Sequence, residues 1–132
     1  MSKNYLINEG NQIGYMDASF DENLNLVNKK LVAGADLQKG QVVYVSGDMT
    51  VSPTTGASAA VLGVAMFDAK AGDPVAVECE GLMRLTAAGT IAAGSKVASA
   101  ANGKVATGTE NTIGVALSAA TADGDVIVKF AL

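Results

Sequence analysis

The stretch LVAGADLQKGQVV at residues 31–43 is repeated as LTAAGTIAAGSKV at residues 85–97, an offset of 85 − 31 = 54. A second block, GVAMFDAKAGDPVAV at residues 63–77, is repeated as GVALSAATADGDVIV at residues 114–128, an offset of 114 − 63 = 51. One loop of different length accounts for the change of offset. A solenoid usually needs three or more repeats to bury a continuous core. Two copies of so short a unit therefore predict one domain with internal pseudo-symmetry.

Each copy of the repeat is patterned as short strands separated by turns. In the first copy, QVVYVS (41–46) is β-branched and aromatic, as strands are, and Gly63 inside the apolar run 59–67 indicates a bulge or a close backbone approach. In the second copy, Asn102-Gly103 is a hairpin turn signal. Further strands are predicted at residues 75–80, 95–99, 104–107, 111–117 and 125–130.

This spacing of strands predicts an all-β fold, a small β-sandwich or barrel with an internal pseudo-twofold repeat. We assign residues 24–132 to a single β-rich domain built from two similar halves, about 24–81 and 82–132. Residues 1–23 differ from the rest and are predicted to form an extended N-terminal arm. The arm holds half of the aromatic residues, Tyr5, Tyr15 and Phe20. It can fold back as an edge strand of its own domain, or it can dock on a neighbouring subunit or another partner.

Composition excludes several classes of protein. The 132 residues carry a net charge of −4, with nine scattered basic residues, so a nucleic-acid partner is not expected. The chain has no histidine and one cysteine, which excludes an intrachain disulfide and the commonest general base. Neither a signal peptide nor an apolar run long enough for a membrane span is present, so synthesis in the cytosol and no membrane partner are expected. Only 17% of residues are charged, which favours surface that is buried against partners.

Few residues could carry chemistry, and each has a structural explanation. Glu78 and Glu80 lie two apart on a strand, where a solvated face explains them better than acid–base catalysis or calcium binding. Asp73 and Asp125 follow glycines in turns and are expected to cap the backbone amides there. Cys79 is expected to point inward with the valines of its strand, as a small buried hydrophobe. We therefore predict no catalytic residue, no metal, no cofactor and no enzymatic activity.

The order of motifs resembles the small capsid cement, or decoration, proteins of tailed bacteriophages. The resemblance is carried by NYLINEG (4–10), by LVAGADLQKGQVVYV (31–45), and by the paired GVA…AGDPVAV and GVA…DGDVIV blocks. It implies a β-rich homotrimer on the exterior of a capsid, made in the host cytoplasm, that ties neighbouring major capsid protein subunits together. It also implies an N-terminal arm that runs along the shell. The insert at residues 14–30 is longer than the resemblance leads us to expect.

The arm has the residues for such a contact. Its large side chains can fill pockets while its backbone pairs with an exposed strand edge. The predicted partner-binding residues are Asn4, Tyr5, Leu6, Ile7, Glu9 and Tyr15.

Two other functions stay open. One is a head-fibre base or a carbohydrate-binding adhesin module, which exposed aromatic side chains around a groove would favour. The other is an enzyme-associated β-clip domain, since ADLQKGQVV (35–43) is a common entry to such a barrel. Loss of a reaction on mutating Glu78 or Asp73 would favour the second.

Overall fold

The structure is a computed structural model that describes residues 30–132. Within that range the chain forms ten strands and no helix, arranged as two five-stranded sheets, which confirms the all-β prediction. No helix able to cross a membrane occurs among these residues. The first sheet contains β1 (Val32–Ala33), β2 (Val42–Gly47), β3 (Thr50–Pro53), β4 (Val61–Ala65) and β5 (Val77–Glu78). The second contains β6 (Gly81–Thr86), β7 (Lys96–Ser99), β8 (Val105–Thr107), β9 (Thr112–Ala116) and β10 (Asp125–Phe130).

Both sheets are strongly curled. The first has the order β1-β3-β2-β4-β5, and an antiparallel bridge between Val32 and Pro74 links β1 to the segment that leads into β5. The second has the order β6-β10-β9-β7-β8, and a parallel bridge between Ala87 and Val105 links the end of β6 to β8. Each bridge joins one outermost strand to the segment next to the other outermost strand, which is possible only if the sheet bends back towards itself. Each sheet therefore approaches a small barrel.

The sequence repeat is also a repeat of strand register. In the first half Val43 pairs with Gly63, and a bulge follows at once in the β2–β4 ladder. In the second half Val97 pairs with Gly114, and a bulge follows at the same place in the β7–β9 ladder. These pairs preserve the offsets of 54 and 51 residues found in the sequence. The bulge at Gly63 confirms the prediction made for that glycine.

The buried side chains of residues 30–132 form two clusters, and the first half contributes to both. One cluster lies inside the first half: Ala33, Leu37, Val43, Val51, Ala65 and Val77. The other contains the core of the second half together with Val42, Val61 and Val64 of the first. Val42 and Val43 are neighbours in β2 and both are fully buried, but they belong to different clusters. Strand β2 is therefore covered on both faces, by its own half on one side and by the second half on the other.

A turn of the second half inserts its backbone into the first. The amide of Val42 donates to the carbonyl of Gly103 (2.9 Å), and the amide of Gly103 donates to the carbonyl of Thr54 (3.1 Å). The Thr54 hydroxyl donates to the carbonyl of Ala100 (2.7 Å). Asn102 and Gly103 both have positive φ, at 61° and 71°, as the predicted hairpin turn requires.

The prediction that Cys79 points inward was wrong. Strand β5 contains only Val77 and Glu78, and Cys79 lies exposed beyond its end. The alternation of a strand cannot be extended past its last paired residue. Here the chain turns at Gly81, whose φ is 125°, and continues directly into β6.

The prediction for Asp73 was right and that for Asp125 was wrong. The amide of Lys70 donates to the Asp73 carboxylate (3.2 Å), which caps its turn. In the second half the residue at the place of Gly72 is Asp123, which adopts positive φ (63°) as Gly72 does (90°). Asp125 therefore falls after the turn, as the first residue of β10.

Candidate partner-binding surface

The residues predicted to bind a partner all belong to the N-terminal arm. Asn4, Tyr5, Leu6, Ile7, Glu9 and Tyr15 lie outside the described residues, so their role stays a prediction. The described part of the chain presents a different candidate surface, which the sequence reasoning did not identify.

That surface is the solvent side of the second sheet. Strand β10 alternates throughout, and β6 alternates from Leu82 onwards. In β6, Met83 and Leu85 are buried, whereas Leu82 is 66% exposed. Val126, Val128 and Phe130 are buried and the residues between them are not. We call this surface the outer face and define it by Leu82, Arg84, Lys96, Val115, Leu117 and Lys129.

Strand register places these side chains in rows across the sheet. Leu82 pairs with Lys129, Lys129 pairs with Val115, and Val115 pairs with Lys96. A second row joins Arg84 to Ile127, whose carbonyl accepts the amide of Leu117 (2.7 Å). Directly opposed residues on one face of a sheet lie within contact distance. Apolar and basic side chains are therefore interleaved over the whole outer face.

The outer face is positive on a negatively charged chain. Its acidic neighbour Asp125, at the end of β10, lies 3.6 Å from Arg84, and both side chains are largely exposed. Among residues 30–132, no acidic side chain lies within ion-pair distance of Lys96 or Lys129. Three basic groups and one acidic group give the face and its edge a formal charge of 3 − 1 = +2, whereas the chain carries −4.

A groove of about 350 Å³ lies between the two halves. It is lined mainly by polar side chains and by the turn that holds Gly103, and Arg84 and Asp125 reach it from the outer face. No group of three or more His, Cys, Asp or Glu side chains able to hold a metal ion occurs in the described range.

Cys79 is poorly suited to act as a nucleophile. Although the residue is exposed overall, partial burial of the thiol raises its pKa, and the nearby carboxylates of Glu80 and Glu78 raise it further. The reactive thiolate is thus suppressed at neutral pH. Glu78 and Glu80 are themselves exposed, in agreement with a solvated surface.

The sequence of the chain matches that of a known protein family. Residues 22–132 match the phage cement protein family. The chain belongs to this family. It is accordingly a structural protein of the phage virion.

One solved structure has a closely similar fold. It is the N base of the head fibre protein gp8.5 of bacteriophage phi29, with a TM-score of 0.60 and 17% sequence identity. The similarity covers 77% of this chain and 91% of the phi29 chain. At this level of identity the likeness concerns the fold alone. A search of curated proteins found no match.

Proposed function

We propose that this cement-family protein attaches to the outer surface of a phage capsid and stabilises the shell by bridging major capsid protein subunits. The observation that carries the proposal is the family match over residues 22–132. The outer face supports it, because large exposed apolar side chains beside basic groups suit a protein partner. The proposal includes the absence of enzymatic activity.

Two finer features belong to the same proposal. The first is a homotrimer, in which three copies present the same surfaces to the shell around one symmetry axis. The second is an arm, residues 1–23, that lies along the capsid and contacts it through Tyr5, Ile7 and Tyr15. Weak contacts from the arm and from the folded domain would then reinforce each other. Once one of them is bound to the shell, the other is held close to its own binding site.

The test is reconstitution on shells that lack the protein. Purified protein should bind such shells saturably and should raise the temperature at which they release DNA. Saturation should occur at a fixed ratio to the major capsid protein, because each site is built by a fixed set of shell subunits. Binding without any gain in shell stability would contradict the bridging role.

A head-fibre base is the second candidate, and the fold shared with the phi29 head fibre base favours it. Copy number separates the two functions. A cement protein that bridges shell subunits should occupy the lattice at many equivalent places, whereas a fibre base also carries further protein outwards. Counting copies per particle and examining what is attached to each copy decides between them.

A further inference from the structure

The two halves of the domain use equivalent faces differently. In the first half, the β2–β4 pair Val42 and Val64 is buried, at 0% and 5% exposure, in the cluster that contains the second half's core. The equivalent β7–β9 pair in the second half is Lys96 and Val115, and this pair is exposed. The halves are therefore packed head to tail: the first half buries a face whose equivalent in the second half is exposed to solvent. That open face is the centre of the outer face.

The backbone repeats the same asymmetry. In both halves a loop amide donates to the strand: Thr54 to the carbonyl of Val42 (3.0 Å), and Gly108 to the carbonyl of Lys96 (3.1 Å). In the first half, the peptide of Gly103 completes this site by accepting from Val42 and donating to Thr54. No residue in the described range takes the corresponding place between the Lys96 amide and the Gly108 carbonyl. Among residues 30–132, the second half thus presents the same pair of backbone groups without a segment that completes it.

We propose that the outer face binds a polypeptide segment of the capsid shell that carries carboxylates next to apolar side chains, and that its backbone bonds to the amide of Lys96 and the carbonyl of Gly108. This proposal rests on the proposed attachment to a capsid. Lys96 and Lys129 supply the charges for the carboxylates, and Leu82, Val115 and Leu117 supply the apolar contact. We expect this contact to resemble the one inside the molecule, where the second half covers Val42 and Val64.

A second copy of this chain is a poorer occupant. The residue in the first half at the place of Gly103 is Met49. At Gly103 a Cβ would lie 2.6 Å from the Gln41 Cβ, so the inserted turn must lack a side chain at that point. Met49 carries one, and the first half's own turn therefore could not enter the equivalent site of a neighbouring copy in the same way.

The experiment measures affinity for shells that lack the protein. Lys96→Glu with Lys129→Glu should weaken binding by about tenfold or more, because it places like charges across the interface. Leu117→Ser, at a half-exposed position, should weaken it by roughly fivefold or more. The controls are Lys39→Glu with Lys70→Glu, which also reverses two lysines, and Phe67→Ser, which also removes a large apolar side chain, all at exposed positions of the first half. These controls should bind within about twofold of the unchanged protein, and all variants should keep its melting temperature.

The outcomes separate the two proposals. If the unchanged protein does not bind shells, both fail. If it binds and the outer-face variants bind equally well, the outer face is not the site and only the attachment stands. If the variants instead dissociate an oligomer in light scattering while each free copy binds shells as before, the occupant is a second copy and the proposal is overturned.

Discussion

Gly63 packs directly against the backbone of Glu78: a Cβ at Gly63 would lie 2.2 Å from the Glu78 carbonyl oxygen. The relationship recurs in the second half, where a Cβ at Gly114 would lie 2.2 Å from the carbonyl oxygen of Lys129. Both glycines lie beside the bulges that follow Val43 and Val97. Because the opposing atom belongs to the backbone, a side-chain rotation could not relieve the clash. The curl of each sheet depends on this close approach.

Replacing either glycine with alanine should therefore destabilise the protein severely. We expect Gly63→Ala and Gly114→Ala each to lower the free energy of unfolding by about 3 kcal/mol, as overpacking against a rigid neighbour does. For about 100 ordered residues, such a loss lowers the melting temperature by more than 10 °C. Thermal and denaturant unfolding measure both quantities.

The matched control is Gly89→Ala. Nothing lies within 4 Å of a Cβ at Gly89, and its φ is not in the left-handed region. Its stability should change by no more than about 0.5 kcal/mol. If Gly63→Ala were as stable as Gly89→Ala, the bulge would tolerate a side chain and the account of the curl would be wrong.

The fold was predictable because the decisive signals are local. The turn at Asn102-Gly103 and the bulge at Gly63 follow from residue type and spacing alone, and the repeat supplied each expectation twice. Local reasoning failed where the alternation of residue types continues beyond the last paired residue of a strand. Cys79 continues the pattern of Val77 but has no paired neighbour. In the same way, Asp123 rather than Asp125 takes the place of Gly72.

The outer face was not predictable in this way. Val64 and Val115 are equivalent residues in equivalent strands, yet one is buried and the other is 36% exposed. The difference arises from how the halves pack, which is a long-range property. One local signal did exist: β2 begins with Val42, whereas the equivalent residue at the start of β7 is Lys96. A lysine is rarely fully buried without a partner, so Lys96 indicates that this face of the second half is exposed to solvent.

The Ser99 hydroxyl should make a measurable contribution to holding the halves together. It donates to the carbonyl of Gly56 (2.8 Å) and accepts from the amide of Ser58 (3.0 Å), and its residue is 3% exposed. Ser99→Ala leaves both backbone groups unsatisfied at a partly buried site, so we expect a loss of about 2 kcal/mol in unfolding free energy. Urea denaturation provides the measurement.

Ser46→Ala is the control for Ser99→Ala. The Ser46 hydroxyl also forms a hydrogen bond, to Ser52 at 2.8 Å, but at an exposed site where water can replace it. Its removal should cost no more than about 0.5 kcal/mol. Equal losses for the two variants would show that the Ser99 hydroxyl has no special role between the halves.

Cys79 should react with thiol reagents in the folded protein, but slowly at neutral pH. The residue is exposed, so reagent can reach it, while partial burial of the thiol and the charges of Glu80 and Glu78 raise the pKa of the thiol. A raised pKa keeps the thiol protonated to higher pH, so the rate should climb only as pH rises past the range of an ordinary cysteine. The rate of modification, measured by stopped flow at intervals of about one pH unit between pH 7 and pH 10, gives this pH profile.

Charge variants test the electrostatic cause of that shift. Glu80→Gln removes a nearby negative charge, so it should lower the pKa of Cys79 and speed its modification at a fixed pH below the midpoint. Glu110→Gln makes the same change of net charge elsewhere and should leave the rate unaltered. Added salt should shrink the difference by screening. A thiol that reacts only after unfolding would show instead that Cys79 is inaccessible.

The last prediction separates the arm from the folded domain. Removal of residues 1–20 should leave the domain folded, because both copies of the sequence repeat, which begin at Leu31 and Leu85, lie after this segment. The melting temperature should stay within a few degrees of the full chain. Shell binding, in contrast, should fall steeply, since the deleted segment includes the large side chains of Tyr5, Ile7 and Tyr15.

Single substitutions refine this test. Truncation of one buried aromatic anchor at an interface can cost about 2 kcal/mol, or roughly thirtyfold in affinity. Tyr5→Ala and Tyr15→Ala should each approach that loss, whereas Ser2→Ala, in the same segment, should bind as the unchanged protein does. Combining Tyr5→Ala with Lys129→Glu should lower affinity further, because the arm and the outer face would contribute separate contacts. A truncated chain that unfolds, or that binds shells as tightly as the full chain, would exclude the arm as a capsid contact.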